Sequence, residues 1–223
     1  MENRIKLSEV EIKKLFRFTE KKMVHWYDLQ IEIVDHLASC IEDEMTADSK
    51  LTFDLALEKV YNGFGIFGFA KIVQERQIQL AKMAKSKWWN EFRNLFQWPN
   101  AILLVMIVSL ITTVAYAVDS NILYELFLIV YLTIIAAYFI YVIKDHRLFK
   151  RLLILQYGSN GSYFTFQIAF DVSLANINHE MSPITFSVLL SVGVIIKLIS
   201  FKLYYKIRSE ANLLYPSVFS KAI

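Results

Sequence analysis

Apolar positions along this chain change period once, near residue 98. Before that point they recur every three or four residues, the spacing of helices with one buried face. Leu7, Ile12, Leu15, Phe16 and Thr19 give a first stripe, opened by a Ser8–Glu11 capping-box pattern and running to about Lys22. Leu29, Ile33, Leu37, Cys40 and Ile41 give a second over about 26–45, and Phe53, Leu57 and Val60 a third over about 52–61. Asn62 and Gly63 suit a helix end. A long fourth helix is expected from Gly68 to about Gln97, with a polar middle, 74–87, as an exposed stalk whose Lys82, Lys85 and Lys87 meet anionic lipid.

Beyond residue 98 the periodic pattern gives way to long apolar runs. A membrane span needs roughly 20 mostly apolar residues. Four runs approach that length: 101–118, 122–143 with Glu125 near its start, 152–174, and 184–205 with Lys197 and Lys202 inside it. Lys144, Arg147, Lys150 and Arg151 fall in a basic loop between the second and third, and Lys202, Lys206 and Arg208 close the fourth. The linkers 119–121 and 175–183 carry no Lys or Arg. Basic residues stay on the cytoplasmic side, so both termini are expected in the cytoplasm of a bacterial inner-membrane, multi-pass protein. Trp88, Trp89 and Trp98 precede the first run and suit the headgroup layer as interfacial anchors.

The expected fold class is therefore all-α: a small cytosolic helical domain plus a four-helix transmembrane bundle. The expected division is a head over 1–76, a juxtamembrane helix over 77–98, four spans within 99–205, and a cytosolic tail over 206–223.

Composition sharpens this picture. Of 223 residues, 56% are hydrophobic, against about 45–50% in a typical soluble domain. Residues 1–98 hold 15 Lys/Arg and 15 Asp/Glu, and 99–223 hold 9 and 6. A net charge of +3 gives no reason to expect nucleic acid as a partner. The one cysteine, Cys40, excludes an intramolecular disulfide and a Cys-rich zinc site.

Candidate chemistry is sparse. The stretch Gly63-Phe64-Gly65-Ile66-Phe67-Gly68 spells GxGxxG, but a dinucleotide site needs a strand before it and a βαβ unit around it. A cap and tight turn, with Phe64, Ile66, Phe67 and Phe69 packed beneath, is the expectation. Asp35 and His36 lack the third converging ligand of a metal site, and Cys40 is expected as a packed thiol. No nucleophile–base set is recognisable. The chain is read as having no catalytic, cofactor-binding or metal residues, and not as an enzyme.

Two polar faces remain. The second helix carries Asp28, Glu32, Asp35 and Glu42, a candidate partner-binding acidic face. In the third run, Gln156, Asn160, Gln167 and Asp171 fall within an arc of roughly 60°. Lipid does not solvate such a stripe, so it faces other helices, a second copy of the chain or a water-filled path. Lys197 lies at the depth of Asn160, about 12 Å from the cytosolic end by helical rise. It either pairs inside the bundle or reaches to the cytosolic surface.

Residues 27–76 resemble the HAAS-type domain of bacterial membrane proteins. The pattern is carried by Glu32, Asp35, His36 and Leu37 on one helix, Phe53, Ala56 and Leu57 on the next, then Gly65, and Ile72, Glu75 and Arg76. The resemblance implies a cytosolic helical module fused to membrane spans, in proteins regarded as signalling or regulatory, whose usual partner is a cytosolic protein. It implies no catalytic residues. The resulting expectation is a regulatory or adaptor membrane protein. Its head binds a cytosolic or membrane protein, its bundle senses or docks in the lipid bilayer, and homo-oligomerisation stays open. The alternative is a small transporter or channel-like protein using the polar face of the third run.

Overall fold

The computed structural model describes residues 5–117, 120–158 and 183–220, and only some of the side chains within 115–142 and 183–190. All secondary structure among the described residues is helical. Helix α1 spans Glu9–Lys21, α2 Tyr27–Ala47, α3 Phe53–Asn62 and α4 Ala70–Asn94. Helix α5 spans Asn100–Ala117, α6 Ser120–Arg151, α7 Leu153–Gly158, α8 Pro183–Leu214 and α9 Pro216–Ser220.

The start of α1 is set by the expected capping box. Ser8 N–H donates to Glu11 Oε2 at 2.8 Å, and Glu11 N–H donates to Ser8 Oγ at 3.4 Å. The helix ends in a Schellman turn, with Met23 N–H donating to the Glu20 carbonyl and Val24 N–H to that of Thr19. Met23 occupies the left-handed position at φ 67°, a conformation that glycine adopts more easily. Val24 is thereby turned inward and fully buried.

Helices α1 and α3 flank α2, whose Leu29, Ile33, Leu37 and Ile41 form the centre of the head core. Leu15, Val24, Val34, Phe53, Ala56, Phe69, Leu80 and Leu153 complete it. Cys40 departs from the expected stripe: it is half-buried, its Sγ 3.9 Å from His36 Nε2. Ile41, one residue on, takes the core position.

The glycine-rich turn also differs from expectation. Gly63 is right-handed; Gly65 (φ 73°) and Gly68 (φ 50°) are the left-handed residues. A Cβ on Gly68 would sit 2.5 Å from Tyr61 Oη, so a larger residue there would have to displace that ring. Phe64 and Phe69 pack under the turn, but Ile66 is 100% and Phe67 78% exposed. The two positive-φ glycines point the intervening apolar pair outward.

The middle of α4 is no exposed stalk. Leu80, Ala84 and Trp88, one turn apart, are buried where α4 packs on α7 and α8. A second core forms there from Trp88, Leu148, Phe149, Leu152, Leu155, Leu203, Ile207 and Phe219, among others. The basic segment 144–151, expected as a loop, continues α6 as helix. Helix α8 runs past 205 to Leu214, and α9 follows it. These extensions place helical surface around the second core, which we call the collar.

Among the described residues, no helix is long and apolar enough to cross a membrane. Uncharged α5, with 18 residues, reaches about 27 Å, short of the roughly 30 Å of a hydrocarbon core. The described helices thus bear out the all-α fold class and not the four spans. The third expected span lies outside the described residues beyond Gly158.

Candidate functional site: the joint between head and collar

Three consecutive residues at the start of α2 join the head to the collar, Trp26 and Asp28 through α7 and Tyr27 through Tyr215. Trp26 donates its indole N–H to Gln156 Oε1 at 2.6 Å. Tyr27 stacks on Phe16 and meets Tyr215 edge-on, with centroids 6.1 and 6.4 Å apart. Asp28, 6% exposed, accepts from the backbone N–H of Leu153 at 2.9 Å and of Ile154 at 2.8 Å.

The first amides of any helix lack intrahelical acceptors. Here both oxygens of one carboxylate, supplied from about 125 residues away in sequence, accept from them. The packing repeats this connection. Leu153 belongs to the head core, while Leu152 and Leu155 belong to the collar core. Successive residues of one short segment therefore hold two cores together.

The electrostatics of the joint are set by burial. Desolvation raises the Asp28 pKa above the ordinary carboxylate range, against the opposing pull of the Leu153 and Ile154 amides. The Tyr215 phenol is raised too, by burial and then by the negative charges of Asp28 and Glu32, with Arg76 opposing. Arg76 reaches back from α4 to Glu32 at 2.5 Å.

A second polar cluster locks the collar. Asp145 on α6 is buried and accepts from the Tyr204 hydroxyl. Arg208 donates to both its oxygens, through Nε at 2.7 Å and an Nη at 3.2 Å. Lys202–Glu91 (2.7 Å) and Lys87–Glu210 (2.9 Å) tie α8 to α4. Trp88 donates to Ser200 Oγ at 3.3 Å across the same seam.

The expected site residues are thus dispersed. Asp28 is turned inward as a cap rather than displayed on an acidic face. Glu42 accepts from Leu7 N–H at 3.0 Å and Glu32 pairs with Arg76, while Asp35 is exposed. Gln156 belongs to the joint. Asn160, Gln167 and Asp171 lie outside the described residues. The ammonium nitrogen of Lys197 is buried within the chain rather than held at its surface. Trp88 is a collar core residue, whereas Trp89 and Trp98 are exposed. Lys87, assigned to lipid from the sequence, is engaged by Glu210.

Sequence reasoning gave Trp26, Tyr215, Asp145 and Arg208 none of the partners they have here, because those partners are distant in the chain. It also missed the exposed Ile66–Phe67 tip; two glycines bracketing two large apolar residues is the signal that could have found it. No group of three or more potential metal ligands converges among the described residues. No family model, curated protein or solved structure matches this chain.

Proposed function

We propose that this chain is a membrane-embedded regulatory or adaptor protein. Its head binds a cytosolic protein, and the joint carries the resulting change into the bundle. The observation that carries the reading is the joint itself. A rearrangement that moves the start of α2 uncaps α7 through Asp28 and releases Gln156 through Trp26. The route thus runs directly from α2 to α7, beside the α4 connection.

Support for the bilayer comes from apolar surface. Helix α5 exposes Leu103, Val105, Met106, Ile107 and Leu110 on several sides at once. A soluble monomer rarely leaves so continuous an apolar surface in water. On α6, the uncharged sequence between Glu125 and Lys144 follows a helix start at Ser120. From Ser120 to Ile143 the helix rises about 35 Å. In this reading the exposed apolar residues of α5, α6 and α8 lie against the bilayer, and the collar sits just inside the cytoplasmic leaflet. The resemblance of residues 27–76 to HAAS-type domains agrees with a regulatory head.

The partner surface in this reading is the exposed Ile66–Phe67 tip together with Asp35. Large apolar side chains on a rigid turn are the kind of anchor that dominates protein interfaces. Crosslinking in native membranes, followed by mass spectrometry, tests this on the full chain. A cytosolic protein captured by the wild type and lost in Ile66→Ser/Phe67→Ser/Asp35→Lys is the expected result. An unchanged set of partners, or recovery of the chain in the soluble fraction, would overturn it.

A further inference from the structure

The cytosolic end of α6 changes character along one face. At 100° per residue, Ile140, Ile143, Lys144, Arg147 and Arg151 fall within an arc of about 100°. All five are exposed. The opposite face carries Asp145, Leu148, Phe149 and Leu152, all buried in the collar. An exposed apolar stripe therefore becomes a basic stripe over about 12 Å of helix, from Ile143 to Arg151.

The nearest acidic residue in sequence cannot neutralise that stripe. Asp145 points into the collar, where Arg208 and Tyr204 occupy its oxygens. Among the described residues, Lys144, Arg147 and Arg151 have no acidic partner in the structure. On α8, Leu198, Phe201 and Tyr205 are exposed along one face. There the neighbouring Lys202 is held by Glu91.

We propose that the basic stripe Lys144–Arg147–Arg151 binds the anionic headgroups of membrane lipids. This rests on the membrane reading above. Continuity selects lipid over a soluble anion: Ile140 and Ile143 place acyl-chain contacts directly beneath the guanidinium and ammonium groups. Their long stems reach along the apolar surface while the charges sit at phosphate level. The buried Asp145–Arg208 pair gives the stripe its net charge, because it removes the one carboxylate within the basic segment. It also fixes the rotation of α6, so that the stripe faces away from the collar.

The test uses the full chain in nanodiscs of phosphatidylcholine with and without phosphatidylglycerol. Mass spectrometry of the released protein counts retained lipid. Wild type is expected to retain phosphatidylglycerol selectively. Lys144→Gln/Arg147→Gln/Arg151→Gln is expected to lose that preference, by roughly fivefold per charge removed. Arg147→Lys is expected to keep it, and Lys59→Gln on the head to leave it unchanged. Stable insertion with no preference in wild type, or an undiminished preference in the triple variant, would overturn the proposal while leaving the membrane reading intact. Failure to insert into either bilayer would overturn both.

Discussion

The head and the collar are cores of similar composition built by different means. In the head, the helix ends and turns are specified locally. Ser8 and Glu11 cap α1 across three residues, the Schellman turn closes it, and Gly65 and Gly68 shape the turn before α4. In the collar, the ties are between residues far apart in the chain. Asp145–Arg208 spans 63 positions, Lys202–Glu91 spans 111 and Lys87–Glu210 spans 123. A region assembled from local signals can be read from its sequence. A region assembled from long-range charge pairs looks, in one dimension, like scattered Lys and Glu.

The comparison breaks most directly at the two cores. Leu37→Ala in the head and Leu155→Ala in the collar should each cost about 2–5 kcal/mol, and each should mainly loosen its own core. Leu153→Ala should loosen both, since its side chain packs on the head from a segment anchored in the collar. Hydrogen exchange resolved by peptide distinguishes the cases. Equal protection loss throughout for all three variants would show that the cores are one unit.

The next effect belongs to the collar lock. Arg208→Ala leaves the buried Asp145 carboxylate with Tyr204 as its remaining side-chain donor, at a cost of about 3 kcal/mol. Tyr204→Phe removes one hydrogen bond and should cost about 1 kcal/mol. Urea denaturation in detergent measures both, and a smaller loss for Arg208→Ala would mean that water reaches Asp145.

The joint is expected to respond to pH. Asp28 has its pKa raised in the folded chain. A carboxyl group so shifted favours folding in its protonated form. Its contribution is complete below the ordinary carboxylate pKa and is lost as pH rises through the raised value. Stability should therefore fall with rising pH across that window, and Asp28→Asn should flatten the slope. Asp28→Ala should cost about 1–2 kcal/mol, as loss of a helix cap does, with faster amide exchange at Leu153 and Ile154. Unchanged exchange there would remove the joint from the mechanism.

Two smaller effects sharpen the local side of the comparison. Met23→Gly should stabilise α1 by about 1 kcal/mol, since glycine takes the left-handed position without steric cost. A lower melting temperature would show that the Met23 side chain contributes more than its backbone costs. The exposed Lys59–Glu44 pair should matter least: Lys59→Ala is expected to change stability by under about 0.5 kcal/mol.

The sequence by itself determined the first three helices, most of their inward-facing residues and the all-α class. These follow from spacing, capping and turn residues that act within a few positions of one another. Leu29, Ile33, Leu37 and Ile41 are buried as their period requires. The same reasoning placed Asp28 on an outer acidic face and Gln156 in a membrane stripe. Helical spacing gives a residue's angle on its own helix and nothing of what packs against it. Only the tertiary structure brought α7 to the start of α2, so that a buried carboxylate met two unpaired amides. Only packing turned 144–151 from an expected loop into helix, because Leu148, Phe149 and Leu152 there have a collar to bury against. Periodicity is a property of the chain, but satisfaction of a buried charge is a property of its neighbours, and those neighbours come from elsewhere in the sequence.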